Sequence, residues 1–211
     1  MPLIDGCIHP WPAGDSSLRR MAIEARELGF DQVVAVGGGG DVPGVLRGTV
    51  ISASSVKEVV AAVQGIPRGS GVVMVNAGEI AFNRAVIGLR GVRVLRGIHK
   101  APKGAFNHVA AREAEVRGVA VELDFSPLVE GRGLSRQRVI SRYRDILQLA
   151  RRYAFPCTIA SNARSILAQR SVRDMVLLAR LFGMEEEEVT GALSSLDSIL
   201  AGRSPVQVVR G

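Results

Sequence analysis

The sequence predicts an α/β protein whose parallel strands, each linked to the next through a helix, close into a TIM-like barrel. An open, doubly wound sheet is the other arrangement these elements allow. Three observations lead there. Short apolar runs alternate with amphipathic stretches along the 211 residues. The runs are near-continuous Val, Ile and Leu without polar alternation, as in strands covered on both faces. Right-handed βαβ units, repeated about seven times, curl into a barrel.

In chain order, strands are expected at Leu3–Ile8, Gln32–Val36, Thr49–Ala53, Val72–Val75, Arg93–Leu95, Val119–Leu123 and Cys157–Ala160. Helical periodicity covers Ser17–Leu28, Ser55–Gln64, Glu79–Ile87, Phe106–Val116, Ser135–Tyr153, Val172–Phe182 and Glu185–Leu200. Ser55, three residues before Glu58, has the spacing of a capping box. Gly29, Gly118 and Gly183 stand where helices end in a left-handed residue. Glu185–Glu188 place negative charge in the first turn of the last helix, where the macrodipole favours it. No Pro-, Gly- or Ser-rich stretch divides the chain, so residues 1–211 read as a single domain without short-period repeats.

Composition narrows the function. An apolar content of 47% excludes a disordered chain. No run of about 18 uncharged apolar residues is present, so no membrane helix is expected. Asp5 and the lack of a basic start argue against a signal peptide, and a cytoplasmic protein is expected. Cys7 and Cys157, far apart in apolar runs, read as buried thiols of a reducing compartment. Three His are too few for a His-rich multinuclear metal site.

The net charge of +7 is unevenly spread. Residues 1–83 carry six basic and eight acidic groups, residues 84–180 carry 19 and seven, and residues 181–211 carry two and five. Of the basic residues, 24 are Arg and three are Lys. The guanidinium fork matches phosphate oxygens in pairs, so a nucleic acid or another polyanion is the favoured partner over a merely solvated surface. Of the aromatics in the basic segment (Phe106, Phe125, Tyr143, Tyr153 and Phe155), most fall on core positions. Base stacking therefore gives way to a structured RNA held through backbone and shape.

Individual motifs are weaker. Gly37–Gly40 and Asp41 follow a strand, but no Lys-Ser/Thr follows and the third dinucleotide glycine is missing, so a mobile βα-loop is expected rather than a phosphate cradle. Asp5, Cys7 and His9 alternate and point to one side of the first strand. Such an acid and His at a strand end resemble the opening of the PHP phosphoesterase superfamily, with Cys7 in place of its first His. A relic of a barrel ancestor explains them better than a working metal site, since few other ligands remain. Glu122 and Asp124 end a strand without a further sign of catalysis. His108 and Arg112, four residues apart, share a helix face, either as structure or as an RNA contact. Arg164, Arg170 and Arg173 surround Ser161-Asn162-Ala163, where functional loops of a barrel gather. Arg173 and Asp174 could equally form an ion pair that orders this loop.

The run Val119–Val129, the Arg-rich helix after it, Ser161-Asn162-Ala163, the segment Arg170–Asp174, Gly183-Met184 and Asn107-His108 with Arg112 together resemble RNase P protein component 3. This family is the archaeal counterpart of the eukaryotic thirty-kilodalton RNase P subunit. The resemblance is convincing over about residues 79–200 and looser over 1–78. It implies a TIM-barrel-like fold related to the PHP superfamily. It also implies a non-catalytic subunit of the ribonucleoprotein that removes the 5′ leader of precursor tRNA, with the catalytic Mg2+ on the RNA and no cofactor in this chain. The expected partners are the RNase P RNA, precursor tRNA indirectly, the small RRM-like component 2 and further protein subunits. The family's basic positions correspond to Arg84, His108, Arg112, Arg170 and Arg173. Arg142 in the Arg-rich helix and Arg164 complete the expected RNA-binding set. A PHP-type metal-dependent phosphoesterase using Asp5 and His9 is the alternative. The Gly-rich loop and the scarcity of Lys depart from the family.

Overall fold

The computed structural model describes residues 1–67 and 69–202; the end of the expected domain, from residue 203, lies outside the described residues. Seven parallel strands form one sheet in chain order: β1 (Ile4–Ile8), β2 (Gln32–Val36), β3 (Val45–Ile51), β4 (Val72–Asn76), β5 (Val94–Arg96), β6 (Ala120–Asp124) and β7 (Cys157–Ala160). The sheet then curls back on itself. Past β7, Ala163 makes a parallel bridge to Ile8, Asn162 N donates to Cys7 O at 2.9 Å, and His9 N donates to Ala163 O at 2.8 Å. That seam makes the fold a barrel and removes the open-sheet alternative.

The helices are α1 (Leu18–Glu27), α2 (Val56–Gln64), α3 (Ile80–Ile87), α4 (His108–Arg117), α5 (Ser126–Glu130), α6 (Gly133–Tyr153), α7 (Val172–Ala179) and α8 (Glu186–Leu200). Their starts are set by side chains that satisfy otherwise orphaned backbone N–H groups. Ser17 accepts from Arg20 N, Ser55 from Glu58 N, and Asn107 from Val109 N and Ala110 N. Ser171 with Asp174, and Glu185 with Glu188, close full capping boxes on α7 and α8.

Three expectations need correction. The third strand runs over Val45–Ile51, not Thr49–Ala53, because exposed Arg47 and the glycine after it interrupt the apolar run within the strand. Residues 37–44 are not a βα-loop: they lead from β2 directly into its parallel neighbour β3 with no helix between. Parallel neighbours usually need a longer crossover. Here Gly37, Gly38, Gly40 and Gly44, all at positive φ, let the chain double back in one short span. Finally, α5 was not expected; Pro127 in its first turn starts it where the apolar run of β6 had seemed simply to end.

Two apolar layers result. The larger lies between sheet and helices and includes Ile8, Met21, Val75, Leu95, Leu123, Phe125, Tyr143 and Phe182. The smaller fills the barrel with Ile4, Val72, Val94 and Ala120 at strand starts, together with Leu196 and Ile199 of α8. Cys7 is buried as expected, whereas Cys157 keeps partial exposure; both are free thiols. Burial pushes the Cys157 thiol up to about 12, helped by Glu188.

Candidate functional site

At the ends of the strands the barrel interior changes from apolar to ionic. Arg96, the last residue of β5, turns inward and is almost fully buried. Its Nε lies 3.3 Å from Glu122 Oε1 on β6, and its Nη2 donates to Asn162 Oδ1 at 2.5 Å. Asn162 also donates through Nδ2 to Glu122 Oε1 at 3.1 Å, so three side chains form a closed triangle. Asn162 itself has φ 50, a left-handed conformation that Asn tolerates better than most residues. That turn is what carries the chain from β7 into the seam with β1.

The other groups of the first strand join this triangle. Asn162 Oδ1 faces Arg96, a donor, so His9 Nε2 at 3.2 Å from the same oxygen must carry a hydrogen. The Cys7 thiol lies 3.5 Å from His9 Nε2. Asp5 is fully enclosed; it accepts from Ser161 N at 2.8 Å and Ser161 Oγ at 2.5 Å. Asp124 accepts from Ser126 N and Oγ, and His99 Nε2 stands 3.9 Å from it. Tyr143 donates to the Asp124 carbonyl at 2.6 Å, so it can only accept from His99 Nδ1 at 3.1 Å. The neutral His99 therefore carries its proton on Nδ1.

The electrostatics follow from burial. Desolvation raises the Glu122 carboxyl to about 7 in spite of Arg96, with Asp124 adding repulsion. Asp5 rises to about 6 for the same first reason, despite its hydrogen bonds from Ser161. The two partners of the ion pair respond in different ways. Burial works to lower the Arg96 guanidinium, but Glu122 and its other neighbours outweigh it and hold the guanidinium more firmly charged. Burial costs the carboxylate more than one guanidinium returns, because Glu122 Oε2 has no hydrogen-bond partner among the described residues. Burial, then Arg96, lowers His9, while burial lowers His99 against the pull of Asp124. The Cys7 thiol is pushed far up by burial and by Glu122, which leaves it inert as a nucleophile.

The residue types invite a metal, and the geometry does not fit one. Among the described residues no three His, Cys, Asp or Glu side chains converge so as to hold a metal ion. Asp5 is committed to Ser161, Cys7 stands where a His would be needed, and the centre is taken by the Arg96 guanidinium. Asp5, Cys7 and His9 stand close along the chain, as their alternation suggested, but Asp5 turns to Ser161 while Cys7 and His9 approach each other. Arg96 and His99 were not expected at the site, whereas Asn162 belongs to the Ser161-Asn162-Ala163 segment expected among the functional loops. The only signal for Arg96 was a lone charge at the end of an apolar run.

Six of the seven basic residues expected to bind RNA fall into two groups, with Arg142 apart. Arg84 on α3, with His108 and Arg112 on α4, are exposed on neighbouring helices. Arg112 lies over the Tyr153 ring at 5.6 Å. Arg164 and Arg170 lie on the connection from β7 into α7, and Arg173 in the first turn of α7. Arg164 and Arg173 are exposed, whereas Arg170 is half-buried and donates to the Leu167 and Gln169 carbonyls. Arg142 on α6 is half-buried and donates to Ala101 O at 3.1 Å. Asp174 is engaged by Ser171 in the capping box, which explains the order of that loop without an ion pair to Arg173. Phe106, Phe125, Tyr143 and Phe155 are core residues, as expected, and Tyr153 is half-buried.

Fold and mouth together define the class: a TIM-like barrel whose interior carries a buried ion pair at the strand ends. The RNase P subunit p30 family model matches residues 2–204, and the chain belongs to that family. Ribonuclease P protein component 3 of Methanothermobacter thermautotrophicus is 35% identical over 152 residues, covering 72% of this chain and 62% of that protein. The Methanococcoides burtonii protein of the same name is 41% identical over 125 residues, covering 58% of this chain and about half (51%) of that one. The match to the Methanosarcina acetivorans protein is 28% identical and covers 95% of this chain and 90% of that one. Among solved structures, a chain of an archaeal ribonuclease P with mature tRNA superposes with a TM-score of 0.76 at 20% identity, covering 99% and 98% of the two chains. A Xaa-Pro dipeptidase superposes with a TM-score of 0.59 at 12% identity, covering 95% and 75%, which shows the shared barrel plan. The family removes the phosphoesterase alternative.

Proposed function

We propose that this chain is a protein subunit of ribonuclease P that binds the RNase P RNA and supports removal of the 5′ leader from precursor tRNA. The observation that carries the reading, beside family membership, is the segregation of charge. The acids of β1 and β6 are spent on internal partners, while Arg84, Arg112, Arg164 and Arg173 face outward. Outward guanidinia neutralise phosphates and hold the RNA in its active fold, and His108 adds a hydrogen-bonding group at the start of α4. Arg142 and Arg170 support this surface from half-buried positions by fixing the Ala101 and Leu167–Gln169 segments. The catalytic Mg2+ belongs to the RNA, and this chain holds no cofactor of its own. The protein partners are the RRM-like component 2 and the remaining subunits, in the cytoplasm.

The test is binding to the RNase P RNA as a function of salt, alone and with the partner subunits. If about six to ten phosphates are contacted, affinity drops by roughly 10³–10⁵ between about 50 and 200 mM salt. A flat response overturns the electrostatic reading. Purification of the chain from its native cytosol is expected to bring down one abundant structured RNA and precursor-tRNA cleavage.

A further inference from the structure

The nine aromatic residues of the chain include a single Trp, and Trp11 alone among them is exposed, at 60%. It sits on the turn between β1 and α1, at the mouth of the barrel. This turn is fastened rather than loose. Trp11 N donates to Ser16 O at 2.8 Å, Ala13 N to Pro10 O at 3.0 Å, and Asp15 N to Arg164 O at 2.8 Å. In return Arg164 Nη1 donates to Ala13 O at 3.0 Å, and Ile166 N to Ser16 Oγ at 3.4 Å. Gly14 is pressed so closely between the Arg164 and His9 carbonyls that a β-carbon there would lie 2.2 Å from each oxygen. The turn and the segment after β7 therefore form one rigid rim.

The charge around that rim selects an occupant. Exposed Arg19 and Arg20 follow in the first turn of α1, Arg164 belongs to the rim itself, and half-buried Arg170 lies just beyond. The one acid on the turn, Asp15, accepts from Ser16 Oγ. Leu167 is also exposed on this segment, but the centre of a protein interface is depleted of charge, and this rim is crowded with it. An exposed indole on a fastened turn, with Arg164 bound to that same turn through Ala13 O and Arg19 and Arg20 following in sequence, suits a base and its flanking phosphates.

We propose that Trp11, with Arg164 beside it, is a stacking platform for an unpaired nucleotide of RNA. This deepens the RNA-binding function proposed above and rests on it. It adds single-strand recognition at the mouth to the backbone contacts of the helical faces.

Because the chain has one Trp, its fluorescence reports on this site alone. The full chain is titrated with an oligouridylate and, separately, with inorganic polyphosphate of matched charge, while binding is followed independently by anisotropy of labelled oligouridylate. Quenching by the oligouridylate and not by polyphosphate is expected. Trp11→Ala weakens oligouridylate binding by about 5- to 150-fold, the value of one base stack, and Trp11→Phe restores most of it because stacking tolerates any π-face. Oligouridylate binding with unchanged fluorescence and an unaffected W11A variant overturns the platform and leaves the RNA-binding function standing. No binding of oligouridylate or RNase P RNA overturns both. A fluorescence change on adding a partner subunit, with none on adding RNA, overturns the platform in favour of a protein contact.

Discussion

The two ends of the barrel interior are built from opposite materials. At the strand starts, Ile4, Val72, Val94 and Ala120 meet Leu196 and Ile199 of α8 in a wholly apolar contact. At the strand ends, Arg96, Glu122, Asn162, His9, Asp5 and Asp124 meet in an ionic one. The apolar end is held by non-directional burial and tolerates small shifts in shape. The ionic end works only as a complete set, since each buried charge depends on the partner that compensates it. The same contrast runs through the arginines: Arg96 is structural because it is enclosed, whereas Arg173 is available to a ligand because it is exposed.

The largest expected effect breaks the ionic end. Arg96→Met leaves Glu122 buried without its cation. Above the pH of about 7 at which this carboxyl titrates, the change destabilises the chain by about 3–5 kcal/mol, read from urea unfolding at about pH 8–9. At about pH 5, where Glu122 is protonated, the loss is smaller. The double variant R96M/E122L recovers most of the loss, because the uncompensated charge is gone. A neutral R96M would show that the apolar end alone holds the barrel.

Next in size is the pH response. The folded-state Glu122 carboxyl titrates at about 7 and Asp5 at about 6, both above their ordinary values of 4.5 and 3.8. The folded state thus holds protons that the unfolded chain has released. Their stabilising contribution is complete below the ordinary values and is lost as pH rises through 6 and 7. His9 and His99, both lowered, act the other way; their contribution is present above the ordinary 6.5 and lost as pH falls. Glu122→Gln removes one side of this balance, so wild type should lose more stability than E122Q between about pH 5 and 8. Parallel curves would show that Glu122 does not titrate in this window.

The smallest effect on stability sharpens the comparison from outside. Arg173→Ala should change unfolding by less than about 0.5 kcal/mol while lowering the salt slope of RNA binding by about 1. Lost folding with unchanged RNA assembly would assign Arg173 to structure.

Most of the frame is legible in the sequence because period and apolar continuity are local properties. The strands Gln32–Val36 and Cys157–Ala160 lie where their Val and Ile content puts them. β3 starts before its expected position because a strand with an uncovered outer face alternates, and Arg47 followed by Gly48 reads as a loop. At the mouth, Asp5, Cys7 and His9 were visible together because one strand carries all three. Arg96 and Asn162 were not, because they lie 66 residues apart and meet only when the barrel closes. Composition counted Arg96 among the ligand-binding arginines, and burial alone separates it from them. Trp11 is hidden in the sequence for a similar reason: it lies far from the basic segment in the chain, and only the fold brings its N-terminal turn against Arg164.

The direct passage from β2 to β3 leaves one sector of the barrel without a helical jacket. Around Gly37, Gly39 and Gly40 the space is open, since a β-carbon at any of them would meet nothing within 4 Å. Elsewhere the outer wall is closed by helices. This sector is where the chain can grow: an inserted peptide, a spin label or a small fused module placed at Gly39 or Gly40 projects into solvent, while Gly38, where a β-carbon would lie 2.9 Å from Pro10 Cγ, keeps the loop seated beside the mouth.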